Sequence, residues 1–97
     1  MDTAHPRVLI TAFTSAPMAD VARGLLGWLT LEVDGFLVID GVTLRKTLDG
    51  RLALAFPTRR DRRGRRHAVV RPLDGRARRA IEEQVLGALG LAREAAS

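Results

Sequence analysis

Six arginines occupy eight consecutive positions of this chain, interrupted only by Asp61 and Gly64. They are Arg59, Arg60, Arg62, Arg63, Arg65 and Arg66. The guanidinium group is planar and permanently charged, and its forked N–H donors match the oxygens of a phosphate. Two unit charges about 7 Å apart in water repel by roughly 0.6 kcal/mol, so this crowding costs stability unless an anion lies beside it. The run therefore favours binding of a polyanion, whose condensed counterions are released by the arginines.

A second basic group follows Asp74, which we predict to be the N-cap of a helix. Its members are Arg76, Arg78 and Arg79. The helix dipole makes positive charge unfavourable in a first turn, by a few tenths of a kcal/mol per residue. The same turn presents free backbone N–H groups, which together with guanidinium groups form an anion site. We expect the two basic groups to face one polyanion.

The charge of the chain is strongly polarised. Between Arg51 and Arg79 there are eleven arginines and two acids, a balance of +9, whereas the rest of the chain has five basic and nine acidic residues, a balance of −4. Such an asymmetry indicates a charged partner better than a high isoelectric point does. A solvated loop kept for solubility, or a tip that discourages edge pairing, is the other explanation of a charge run. The density and single sign of this run favour a ligand.

Other chemistry has little support in the residues. His5 and His67 are the only histidines and the chain has no cysteine, so no zinc-ligand spacing is present. No glycine-rich phosphate loop or nucleophile motif occurs. Asp40 and Asp49 are interpreted as strand-end and turn residues rather than as a catalytic pair. We therefore predict a protein that is not an enzyme, with no cofactor, no metal and no small-molecule substrate.

The aromatic residues are predicted to lie in the core. They are Trp28 and three phenylalanines. A base-stacking platform is the other possibility, but the aromatic signature of an RNA-recognition-motif sheet is missing.

Length and composition predict one domain over residues 1–97. The chain is 46% hydrophobic and 28% charged, as in an ordinary globular protein. The absence of cysteine suits a reducing compartment, and the N-terminus does not resemble a signal peptide. No apolar stretch approaches the roughly 20 residues of a membrane span. We expect a cytoplasmic protein.

Alternating apolar residues and turn signals predict about five strands. Asp34-Gly35 and Asp49-Gly50 are hairpin signals, Pro57 ends a strand, and Gly64 turns the arginine run. The predicted strands are 7–13, 24–33, 36–45, 51–56 and 67–71, with a connection over 14–23. We expect an α+β fold, a small antiparallel β-meander sheet of about five strands with a C-terminal α-helix.

The C-terminal helix is indicated by an apolar stripe at helical spacing. The stripe comprises Ala77, Ile81, Val85, Ala88 and Ala92, with Leu89 beside it. Gly87 and Gly90 weaken the last turn, so we expect the helix to fray or to end near Leu91.

The order of short motifs over residues 36–89 resembles a known family. An apolar strand precedes Gly50, a second strand closes on Phe56-Pro57, and Thr58-Arg59-Arg60 follows. Gly64, a strand that ends at Pro72 and a helix over 75–89 complete the order. This arrangement resembles the stage V sporulation protein G (SpoVG) family, the septation regulators.

The resemblance implies a small α+β domain, a homodimer, and site-preferring DNA and RNA binding in bacterial gene regulation. By position, the basic pair of the family falls on Arg59 and Arg60, and its helix-start basic residues fall near Arg76, Arg78 and Arg79. The family commonly has proline and acidic or aromatic residues in the turn, where this chain has four further arginines. Residues 1–33 match only in general character.

We therefore expect a homodimeric nucleic-acid-binding regulatory protein that contacts DNA or RNA phosphates through an arginine-rich hairpin and the start of the C-terminal helix. The alternative is a protein-interaction module that docks an acidic partner on the same loop. Attachment to anionic lipid is disfavoured because no apolar residues are interleaved with the arginines.

Overall fold

Four antiparallel strands form the central sheet, in the order in which they occur along the chain. The structure, a computed structural model, describes residues 6–91. The sheet contains β1 (Val8–Ser15), β2 (Leu25–Val33), β3 (Leu37–Lys46) and β4 (Leu52–Ala55), and a short helix α1 (Met18–Val21) connects the first two strands. The C-terminal helix α2 spans Gly75–Ala88. The predicted α+β class is confirmed.

A separate two-stranded hairpin takes the place of the fifth strand of the predicted meander. It consists of β5 (Thr58–Arg60) and β6 (Arg66–Ala68), which pair with each other rather than with β4. The expected strand over 67–71 thus begins one residue earlier and ends at Ala68, and a further strand lies within the arginine run. Pro57 lacks an N–H group and ends β4, and the arginines beyond it offer no apolar side chains for the core.

The turn between β2 and β3 follows the sequence signal. Asp34 and Gly35 both have positive φ values, 55° and 73°, as a hairpin with right-handed strand twist requires. Phe36 was expected to begin the return strand but lies in the turn, where 94% of it is exposed. The return strand therefore begins one residue later than predicted, at Leu37.

The core lies between one face of the sheet and α2. Leu52 and Leu54 point into it, as their alternation predicted, and Val85 and Leu86 cover it from the helix. The other buried apolar side chains are Val8, Leu29, Leu31, Ile39, Val42 and Leu44. Among the stripe residues, Ile81 and Leu89 are half-buried, Ala88 is exposed, and Ala92 lies outside the described residues.

Both ends of α2 are fixed by recognisable caps. Asp74 Oδ1 accepts a hydrogen bond from the Ala77 backbone N–H at 2.9 Å, so the predicted N-cap is confirmed. At the other end Gly90 has a φ of 74°, and the Leu91 N–H donates to the Leu86 carbonyl at 2.8 Å. This left-handed glycine cap ends the helix at Ala88, one turn before the expected position.

Polar side chains attach α2 to both edge strands of the sheet. Glu82, 1% exposed, accepts from the Leu54 N–H of β4 at 3.0 Å. Gln84 accepts from the Val8 N–H of β1 at 2.9 Å and donates to the Pro6 carbonyl. The helix thus crosses the sheet from β4 to β1.

The prediction that the aromatic residues lie in the core was wrong for most of them. Trp28 alternates with Leu29 along β2 and therefore lies on the face away from α2, 38% exposed. Phe13 is 42% exposed, and only Phe56 packs against the core cluster. Within residues 6–91, no helix is long and apolar enough to cross a membrane.

Candidate nucleic-acid interface

The arginine run folds into a hairpin that projects from the sheet. Arg59 lies opposite His67 and Arg60 lies opposite Arg66 in the antiparallel register. The base is closed by the Val69 N–H, which donates to the Pro57 carbonyl at 3.0 Å. All six strand residues of the hairpin are exposed. The ribbon is therefore accessible on both faces.

Asp61 organises the tip of this hairpin. Its Oδ1 accepts from the backbone N–H groups of Arg63 and Arg65, at 2.8 and 2.9 Å. Its Oδ2 lies 3.2 Å from Arg65 Nε and 2.8 Å from His67 Nε2. Gly64, with a φ of 80°, completes the turn at a position that favours glycine. The single carboxylate of the run thus holds the loop in shape.

These contacts also lower the pKa of Asp61 below its ordinary value. The hydrogen bond with His67 is the largest cause, and the backbone hydrogen bond from Arg65 comes next. Both stabilise the ionised carboxylate. Asp61 is therefore an anion at neutral pH, and its ion pair within the hairpin is with Arg65.

The register sets two arginines directly against each other. Arg60 and Arg66 are cross-strand partners, so their side chains leave the same face of the ribbon. In such a pair the Cβ atoms are about 4.5–5.5 Å apart, and like charges at that position destabilise a sheet. Neither arginine makes an ion pair with any residue between 6 and 91. The fold therefore concentrates positive charge at this pair, and no ion pair among residues 6–91 neutralises it.

Of the other predicted hairpin residues, Arg59, Arg62 and Arg63 resemble this pair. All three are exposed, and none makes an ion pair in the described part of the chain. Arg65 differs because Asp61 holds it. Five of the six predicted arginines thus present their charge to solvent.

At the helix start, Arg78 is largely engaged within the protein. Its Nη1 donates to the Leu54 carbonyl at 2.8 Å and lies 3.5 Å from Glu82 Oε2. Its guanidinium carbon also lies 5.7 Å from the centroid of the Phe56 ring. Because Phe56 immediately precedes Pro57, these contacts place the first turn of α2 beside the base of the hairpin. Arg78 thus positions the helix start.

Arg76 and Arg79 complete the second basic group. Both are exposed, and neither is ion-paired within the described ranges. They lie two residues before and one residue after Arg78 on the same turn. In the described structure it is Arg78 of this turn that contacts the segment before the hairpin, through Leu54 and Phe56.

Three contributors to this site were not found from the sequence. Glu82 lies in a polar stretch and was not singled out. The sequence signal for it is its spacing of four residues from Arg78, at which opposite charges on a helix form an ion pair. His67 was treated only as a possible metal ligand, and no sequence signal links it to Asp61. Phe56 was expected as a core residue, but its ring also makes a cation–π contact with the Arg78 guanidinium group.

The acids considered for catalysis have local roles. Asp40 Oδ1 accepts from the Thr30 hydroxyl at 3.0 Å. Asp49 bonds the Thr47 hydroxyl, which is the main cause of its lowered pKa, and pairs with Arg51 at 3.6 Å. In the described part of the chain, no three histidine, aspartate or glutamate residues are grouped so that they could hold a metal.

No protein-family model, curated protein or solved structure matches this chain. The resemblance to the SpoVG family stays a prediction, based on the order of motifs over residues 36–89. The proposed function therefore rests on the geometry of the hairpin and of the helix start.

Proposed function

We propose that this chain is a nucleic-acid-binding regulatory protein that contacts DNA or RNA phosphates through the arginine hairpin and the start of α2. One observation carries the proposal, the opposition of Arg60 and Arg66 with no ion pair in the described chain. A polyanion that enters between them would convert their repulsion into attraction. Each phosphate contact would also release a condensed counterion.

The nine arginines take different parts in this proposal. Five of them, Arg59, Arg60, Arg62, Arg63 and Arg66, supply the contacts of the hairpin with the nucleic acid. Arg65 contributes through the Nη groups of its guanidinium, because its Nε donates to Asp61. Arg76 and Arg79 add contacts from the helix start through their guanidinium groups, since the Asp74 carboxylate already accepts the Ala77 N–H there. Arg78 acts mainly by positioning that turn against β4.

A homodimer completes the proposal. One hairpin offers a small footprint, and a second copy would raise the overall affinity by making the second contact intramolecular. This arrangement agrees with what the SpoVG resemblance implies, as does a cytoplasmic location. Gel filtration beside light scattering measures the mass directly, and a monomer at micromolar concentration would contradict this part.

A competition experiment tests the proposal against the acidic-protein alternative. A fluorescent duplex is bound at physiological salt and then displaced by unlabelled nucleic acid or by polyglutamate, at matched concentrations of negative charge. We expect nucleic acid to displace the probe at much lower charge concentration, because its phosphates are densely and regularly spaced and release condensed counterions when the arginines bind. Preferential displacement by polyglutamate, or no binding of the probe, would favour the alternative.

Two double variants provide a matched comparison. Arg60→Gln/Arg66→Gln removes two charges from the hairpin, whereas Arg23→Gln/Arg45→Gln removes two exposed charges elsewhere. We expect the first variant to lose affinity for nucleic acid by at least ten-fold more than the second. Equal losses would show that net charge alone attracts the nucleic acid.

A further inference from the structure

The hairpin has the dimensions of a ribbon that reads a DNA groove. Its two strands lie about 4.8 Å apart, and its residues are exposed on both faces. The major groove of B-form DNA, about 12 Å wide and 8.5 Å deep, admits a two-stranded ribbon, whereas the minor groove is about 6 Å wide. The major groove of A-form RNA is too narrow for side chains to read. The shape of the hairpin therefore favours the major groove of B-form DNA.

We propose that the hairpin enters the major groove of B-form duplex DNA tip first. Arg62 and Arg63 then meet guanine edges at the groove floor, and Arg60 and Arg66 bind phosphates at its mouth. The inference rests on the proposed function and deepens it, because it assigns the form of nucleic acid and divides the arginines between base and phosphate contacts.

The length of the tip supports this division. Beyond the Arg60–Arg66 pair, the Asp61 N–H donates to the Arg65 carbonyl at 2.9 Å, and Arg62, Arg63 and Gly64 form the turn. The turn is thus about two residue rises, or roughly 7 Å, beyond that pair. The groove is about 8.5 Å deep, so when the side chains of the turn reach its floor, Arg60 and Arg66 lie at or just above its mouth, within a side-chain length of the phosphates.

The tip is also rigid enough to be specific. Asp61 fixes the backbone at Arg63 and Arg65, and its carboxylate oxygens are occupied by donors from within the hairpin. The two turn arginines are left without ion pairs in the described chain. Arginine bound through two hydrogen bonds to guanine O6 and N7 is the commonest specific contact in this groove.

Single-stranded nucleic acid fits this hairpin less well. Proteins that bind single strands stack the bases on aromatic side chains. Residues 58–68 contain no phenylalanine, tyrosine or tryptophan, and the His67 ring is bonded to Asp61. The hairpin therefore lacks a stacking surface and has only charge and hydrogen-bond donors to offer.

The inference is tested with the native protein and three GC-rich duplexes of about two helical turns. The first is unmodified, the second has 7-deazaguanine at every guanine and so lacks N7 in the major groove, and the third has inosine and so lacks the amino group in the minor groove. All three keep the same phosphates. We expect 7-deazaguanine to weaken binding by roughly ten-fold, since it removes one acceptor of each bidentate contact. Inosine should change the affinity by less than about two-fold, because it alters only the minor groove.

Two variants assign the residues, and circular dichroism checks that each is folded. Arg62→Gln/Arg63→Gln should bind the unmodified and the 7-deazaguanine duplexes equally. Arg60→Gln/Arg66→Gln should bind both more weakly while keeping their ratio. A fourth duplex of the same sequence made of RNA should bind at least ten-fold more weakly than the DNA.

The outcomes separate this inference from the proposed function. Salt-dependent binding that ignores 7-deazaguanine, responds to inosine instead, or is as tight for duplex RNA would overturn the major-groove inference and leave nucleic-acid binding standing. The absence of salt-dependent binding to any nucleic acid would overturn both.

Discussion

Glu82 on α2 accepts the backbone N–H of Leu54 on edge strand β4 at 3.0 Å, from a position that is 1% exposed. Arg78, one turn earlier, donates to the carbonyl of the same leucine at 2.8 Å. Both backbone polar groups of Leu54 are thus bonded to helix side chains. This closes the edge of the sheet at that point, so the arginine run beyond Pro57 cannot extend the sheet there and pairs with itself.

Replacing Glu82 should therefore destabilise the protein. Glu82→Ala leaves the Leu54 N–H without its partner, and we expect a loss of about 1–3 kcal/mol in the free energy of unfolding, measured with urea. Glu82→Gln keeps an acceptor and should lose less. The neighbouring Glu83→Ala is the control, since Glu83 is exposed and should change stability by less than about 0.5 kcal/mol. Equal effects at 82 and 83 would refute this role.

Two glycine-to-alanine changes should alter the free energy of unfolding in opposite directions. A Cβ at Gly27 would lie 2.7 Å from the Thr14 carbonyl oxygen and 2.8 Å from the Phe13 ring, so Gly27→Ala should cost about 1–3 kcal/mol. A Cβ at Gly87 would meet nothing within 4 Å in the described structure, so Gly87→Ala in helix α2 should stabilise by about 0.5–1 kcal/mol. Thermal unfolding of both variants checks the pair, and a stable Gly27→Ala would contradict the register of β1 and β2.

Removing one partner of the Arg60–Arg66 pair should have opposite effects on stability and on binding. Arg60→Gln relieves a like-charge contact, so we expect the free protein to gain a few tenths of a kcal/mol at low salt. The gain should vanish at high salt, where exposed charges are screened. The same variant should bind nucleic acid more weakly. A loss of stability at low salt would mean that an internal contact of Arg60 matters more than its repulsion.

The hairpin should lose order in acid. The pKa of Asp61 is lowered in the folded chain, mainly by the hydrogen bond with His67, so its contribution is fully present above its ordinary pKa near 3.8 and is lost as the pH falls through the lower, folded value. Amide exchange at Arg63 and Arg65 is the measurement, because both N–H groups donate to Asp61.

Substitutions at two aspartates separate this effect from general acid unfolding. Asp61→Ala should lower the protection of the Arg63 and Arg65 amides against exchange already at neutral pH. It should also remove the further loss of protection that we expect in acid. Asp20→Asn, far from the hairpin in sequence, should leave both amides as in the native chain. Protected amides in Asp61→Ala would show that the backbone alone holds the turn.

Local chemistry made part of this structure predictable. Asp34-Gly35 specifies a turn because both residues tolerate positive φ, and Asp74 specifies a helix start because its carboxylate accepts a free N–H. Leu52 and Leu54 alternate, and both point into the core as expected. These features depend on neighbours within a few residues.

Features that depend on distant residues were not predictable. Trp28 was misplaced because both faces of β2 carry apolar residues in the sequence, and the choice of buried face follows from where α2 packs. At the candidate site, composition located the arginines, but only the fold reveals that Arg60 faces Arg66. That Arg78 is engaged by Leu54 and Glu82 also follows from tertiary contacts.

The salt dependence of DNA binding tests the central claim most directly. With about six phosphates engaged, the logarithm of the binding constant should fall against the logarithm of salt concentration with a slope near −5. In Arg60→Gln/Arg66→Gln the slope should become shallower by about 2, while Arg23→Gln/Arg45→Gln should keep the native value. A slope near zero in the native protein, or the same slope in both double variants, would contradict the claim that this hairpin binds a nucleic-acid backbone.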